Sequence, residues 1–153
     1  MSDYSSFLAP DAPVGFTDPD TGKSYPVGLL TQERKTSFEA WLKSRALAAL
    51  EDVKPLLSAA EWEQERRAFR EELSAGRYAF FGPVAEMSRG TADGGAKMAS
   101  LLMGIPTDEV FEVAARHGDL LKAALDAAIA ASTPRRKAPA DGEVPEGKAP
   151  SPA

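Results

Sequence analysis

Apolar residues recur at helical spacing along most of the chain, in blocks separated by glycine or proline. After Thr31, a good N-cap, Phe38, Trp41, Leu42, Ala46, Ala49, Leu50 and Val53 fall on one face of a helix, and Pro55 ends it at about Val53. Ser58 followed by Glu61 is a capping box, and Leu57 and Trp62 are placed as its hydrophobic staple. A second helix follows from there, with Trp62, Phe69 and Leu73 on its buried side and Gly76 as its stop. The spacing predicts an antiparallel pair for these two helices.

Arg77 to Pro83 reads as an ordered aromatic connector. A short helix runs from Pro83 to Ser88, because proline suits a first turn. Gly94-Gly95 then precede a third apolar helix, carrying Met98, Leu101 and Leu102 and stopped by Gly104. Thr107 caps the next helix, which carries Val110, Phe111, Val113 and Ala114 and ends at Gly118. Asp119 caps the last, where Leu120, Leu121, Ala124, Leu125, Ala128 and Ile129 align. Near the N-terminus, Val14, Phe16, Tyr25 and Val27 flank Asp18-Pro19-Asp20-Thr21-Gly22, whose proline and glycine suit a tight turn. The expectation is a mainly α fold. It is a small multi-helix domain of about five helices over residues 14–132, opening with a short β-hairpin at 14–27. Residues 1–13 read as a flexible N-terminus, and 133–153, rich in Ala, Pro, Lys, Glu and Gly, as a disordered tail.

Composition narrows the chemistry. The 153 residues contain no cysteine, which excludes disulfides, thiolate catalysis and thiolate metal sites. Net charge is −5, a poor composition for gripping a nucleic-acid backbone, so no nucleic acid is expected as partner. No apolar run approaches the roughly 20 residues of a membrane span, and no signal peptide is expected.

Each candidate for catalysis fails on its spacing. Gly22-Lys23-Ser24 ends like a phosphate-binding loop, but the glycine required five positions earlier is Thr17, and Tyr25-Pro26 follows where a helix should begin. Asp18 and Asp20 fit the first two ligand positions of a calcium loop, but its twelfth position is Leu29. His117, the only histidine, sits at a helix end with no nucleophile or orienting acid visible nearby. Glu61, Glu63, Glu65, Glu71 and Glu72 are interleaved with arginines as on a solvated face. No catalytic residue, metal site or cofactor is expected. A DNA-reading helix pair around His117-Gly118 is disfavoured, because the second helix offers Lys122 against Asp119 and Asp126.

Tyr78, Phe80 and Phe81 admit two readings: filling the core beneath the connector, as aromatics usually do, or presenting an interaction patch. With Trp41 and Trp62 they are the candidate partner-binding residues, to be divided between core and client surface.

Several stretches also carry a family resemblance. Gly22-Lys23-Ser24-Tyr25-Pro26-Val27, Leu30-Thr31-Gln32, Phe38-Glu39-Ala40-Trp41-Leu42, Leu57-Ser58-Ala59-Ala60-Glu61-Trp62 and Ala75-Gly76-Arg77-Tyr78-Ala79-Phe80 are organised like small helical proteins encoded near the tail genes of long-tailed bacteriophages and prophages. Over about residues 20–131 the chain resembles tail assembly chaperones, which bind the tape-measure protein before the tail tube polymerises. The resemblance implies a non-catalytic chaperone or adaptor with a helical protein client, and it leaves self-association open. It implies the cytoplasm of a bacterial host, or the virion if the protein is instead a minor tail or connector component. A small DNA-binding regulator is the remaining alternative.

Overall fold

The computed structural model describes residues 15–132. The flexible N-terminus and disordered tail expected at 1–13 and 133–153 lie outside the described residues. Strands β1 (Gly15–Thr17) and β2 (Ser24–Pro26) form an antiparallel hairpin, with Phe16 opposite Tyr25. Five α-helices follow: α1 (Gln32–Val53), α2 (Ala59–Ser74), α3 (Pro83–Arg89), α4 (Ala92–Met103) and α5 (Thr107–Ser132). A single 3-10 turn, Lys54–Leu56, joins α1 to α2. No described helix is long and apolar enough to cross a membrane.

Local chemistry sets most of the boundaries. The Thr31 side chain accepts from the Arg34 N–H at the start of α1. Ser58 and Glu61 make both bonds of the capping box at the start of α2. The end of α2 is a Schellman motif: the Gly76 N–H bonds the Leu73 carbonyl at 3.2 Å and the Arg77 N–H bonds the Glu72 carbonyl at 3.1 Å. Gly76, at φ 73°, occupies the left-handed position that this motif requires.

One boundary differs from expectation. Helix α4 starts at Ala92, with Thr91 as its side-chain cap, so Gly94 and Gly95 lie inside it. The reason is packing. A Cβ on Gly94 would stand 1.8 Å from the Ser88 carbonyl oxygen, so only glycine lets α3 and α4 approach this closely. The two terminal helices expected around Gly118 are present, running on from one another within α5 and separated by a kink at His117 (φ −137°, ψ 44°). Gly118 takes no left-handed conformation, so nothing there reverses the chain.

The core lies between the hairpin, the first half of α1, and α4 and α5. Phe16, Tyr25 and Val27 from the hairpin region pack with Phe38, Leu42, Met98, Leu102, Val110, Val113 and Leu121. The Gly28 N–H bonds the Leu102 carbonyl at 2.8 Å, and the Leu30 N–H bonds Ser132 Oγ at 2.7 Å, tying the chain after the hairpin to α4 and to the end of α5.

Cover runs out along α1 and α2. Phe38 and Leu42 are buried, but Leu50 is half-buried and Ala49 and Val53 are exposed. The expected buried side of α2 is not buried. Trp62 and Phe69 are half-buried, Leu73 is exposed, and no residue of the helix enters the core. Helix α1, Lys54 of the 3-10 turn and the connector at Tyr78 lie beside that side and cover it only in part.

Candidate functional site

The five aromatics proposed as partner-binding residues occupy three environments. Tyr78 and Phe80 are buried. The Tyr78 hydroxyl donates to Glu72 Oε2 at 3.1 Å and its ring meets Phe69 edge-on at 5.8 Å. Phe80 packs against Phe38 at 5.9 Å; its N–H donates to Glu39 Oε1 and its carbonyl accepts from Arg89. Trp41 is half-buried between Phe38 and the Arg45 guanidinium. Trp62 is half-buried with the Lys54 ammonium 5.0 Å above its ring. Phe81 alone is fully presented, at 79% exposure, with Lys35 5.1 Å from its ring. Neighbours in sequence part company here because the bends after α2 turn Phe80 inward and Phe81 outward.

Trp62 belongs to a larger apolar feature. It lines, with Leu47, Leu50, Phe69 and Leu73, a groove of about 220 Å³ where α2 runs back along α1. Leu56, 82% exposed, lies in the 3-10 turn joining the two helices. A second apolar cleft of about 530 Å³ separates α4 from α5 and includes Ala96, Phe111, Ala114, Leu121 and Leu125.

A charged cluster is the feature that sequence reasoning missed. Asp18, fully buried at the start of the hairpin turn, accepts from the Asp20 N–H at 2.9 Å and from Arg116 Nη2 at 2.8 Å. His117 Nε2 stands 2.9 Å from Asp20 Oδ2 and 3.5 Å from Asp18 Oδ1. The histidine that showed no partner in the sequence therefore has two, nearly a hundred residues away. The signals were present as turn aspartates and as a lone histidine at a helix break, but only the fold joins them. Burial alone would raise the Asp18 pKa. The Asp20 N–H, the Arg116 charge, the Thr21 backbone and His117 outweigh it and hold the carboxyl below its usual range.

Ligand atoms of Asp18, Asp20 and His117 lie within 4.8 Å of one another, the one such grouping among the described residues. Arg116 already neutralises Asp18, and no buried side-chain polar atom lacks a partner among the described residues. The arrangement acts as a clamp holding the hairpin turn to the kink in α5. Beside it, Lys23 Nζ and the Tyr25 hydroxyl both donate to Glu109 Oε1, at 2.7 and 2.9 Å. These hydrogen bonds hold Glu109 below the ordinary carboxylate range.

The fold and its surface features define a class: a small, mainly helical protein with a clamped N-terminal hairpin and an apolar edge on its first two helices. No family model, curated protein or solved structure matches the chain.

Proposed function

We propose that this chain is a non-catalytic assembly adaptor that covers an apolar face of a helical client, in the manner of a tail assembly chaperone acting on a tape-measure protein. One observation carries the binding reading: α2 is capped at both ends yet places none of its residues in the core. A helix of 16 residues kept in place with its apolar side half-covered is a surface suited to a further helix. The resemblance of residues 20–131 to tail assembly chaperones supplies the client. Adaptor action needs no chemistry. It consists of covering client apolar surface, blocking aggregation and being displaced as assembly proceeds.

Co-expression with a candidate tape-measure protein, followed by pull-down, tests this. The two proteins co-purify and the client becomes more soluble. A client equally soluble alone, with no complex formed, would sink the proposal. Mass spectrometry of purified particles separates the adaptor from a minor virion component, since an adaptor leaves and a component remains in abundant copies.

A further inference from the structure

We propose that Asp18, Asp20 and His117 bind one divalent transition-metal ion, zinc by their ligand chemistry, which ties the hairpin turn to the kink in α5. The site stands independently of the client and of the adaptor reading.

Two carboxylates and an imidazole meet here from distant parts of the chain, with their ligand atoms within 4.8 Å of one another. His117 Nε2 stands 2.9 Å from Asp20 Oδ2 and 3.5 Å from Asp18 Oδ1. Two ligands held at about 2.0–2.1 Å from a tetrahedral ion lie about 3.3 Å apart. The two observed separations bracket that value. Asp20, with its side chain 55% exposed, has room to adjust and close the third side, and it leaves the ion a way in from solvent.

Hydrogen bonding does not account for both histidine contacts. Nε2 carries at most one proton, so a full bond to Asp20 leaves the Asp18 contact without one. Asp18 Oδ1 then faces the ring nitrogen with the Asp20 N–H as its donor and none from His117. An ion placed among the three atoms satisfies them together.

The donor set selects the ion. One imidazole with two carboxylates suits zinc and its first-row neighbours, and three protein ligands leave the fourth position to water. Calcium favours a larger set made wholly of oxygens. The surroundings suit a cation. Asp18 is fully buried and its carboxyl is held below the usual range, so it sheds no proton on binding near neutral pH. Arg116 bonds Asp18 through Oδ2 at 2.8 Å, which leaves Oδ1 turned towards His117; an outer donor of this kind orients a ligating carboxylate. Arg116 offsets one of the two aspartate charges, and the other remains for the ion. The adjoining cleft adds to it: Asp108, Glu109 and Glu112 line it with Asp18 against Lys23 and Arg116, and neither Asp108 nor Glu112 makes an ion pair among the described residues.

The test uses the full chain without a histidine tag, stripped with chelator, and Zn2+ as the probe. His117 is the only histidine and there is no cysteine, so the imidazole resonances report this site alone. Isothermal titration gives one Zn2+ per chain, and the melting temperature rises with the metal. Zinc shifts the His117 ring signals in NMR spectra. His117→Gln and Asp20→Asn each weaken binding at least about tenfold, as loss of a ligand must when loss of an outer partner alone costs that much. Glu65→Gln, an exposed carboxylate on α2, leaves binding unchanged.

The proposal is overturned by the absence of saturable Zn2+ binding, or by full affinity in either His117→Gln or Asp20→Asn. Equal loss with Glu65→Gln overturns it too, because the ion is then held by surface carboxylates at large. Bound zinc that leaves the His117 ring signals of the unaltered chain in place does the same, and that reading depends on no variant.

Discussion

Asp18 shows how one side chain joins distant parts of the chain. It is a turn residue by sequence, and its backbone behaves as one: the Gly22 N–H bonds its carbonyl at 2.8 Å. Its carboxylate, fully buried, is also the anchor for Arg116 and His117. Because its folded pKa lies below the ordinary carboxylate value, the ionised form contributes stability above that value, and the contribution is lost as pH falls through the folded pKa. Thermal melts from pH 6 downward therefore show a loss that steepens below about pH 4, and Asp18→Asn makes that acid limb shallower while lowering the melting temperature at neutral pH. An unchanged acid limb would remove Asp18 from this role. Gly94 is a second position decided by its neighbours. Gly94→Ala forces the Ser88 backbone away from α4, and chemical denaturation registers a loss of about 2–3 kcal/mol. The pattern of apolar residues gives no hint of this, since a glycine inside a helix resembles a break until the crossing helix is in place.

Among the elements, α2 holds together by local means. Its capping box and Schellman motif were legible in Ser58, Glu61 and Gly76, since caps depend on residues within a few positions. Its burial was not legible, because an apolar stripe specifies a face and not what covers it. Ser58→Ala costs about 1 kcal/mol of helix stability. With no core residue in α2 to resist it, the change appears as faster hydrogen exchange over residues 59–74 and leaves α4 protected. Equal protection of α2 and α4 in the unaltered chain would contradict this view of α2. In α5 the break itself was legible: its apolar spacing read as two helices, and the kink falls at His117, beside Gly118. The bond from His117 to the hairpin turn was not legible, because it joins residues far apart along the chain.

Across the molecule, the hairpin is fastened to α5 by two groups of polar contacts. In the first, Arg116 and His117 meet Asp18 and Asp20. In the second, Glu109 accepts from Lys23 and Tyr25. The hydrogen bond to Glu109 raises the Lys23 pKa, and burial with the same acceptor raises that of Tyr25. Groups with raised folded pKa values stabilise the protein below their ordinary values, and that stability is lost as pH rises through the folded ones. Stability is thus greatest over a plateau bounded by about pH 5 on the acid side and about pH 9 on the alkaline side. Tyr25→Phe, which keeps the ring against Phe16 but removes the hydroxyl, reduces the alkaline loss in melts followed by circular dichroism.

The sequence by itself determined the helical class, the hairpin and its turn, the caps of α1 and α2, and the failure of each familiar catalytic spacing. All of these depend on residues close together along the chain. Tertiary structure alone decided that Phe80 turns inward while Phe81 faces out, that Gly94 permits a helix crossing, that His117 meets Asp18 and Asp20, and that α2 keeps its apolar side open. Each of these depends on which surfaces meet across long stretches of chain, and periodicity carries no record of that.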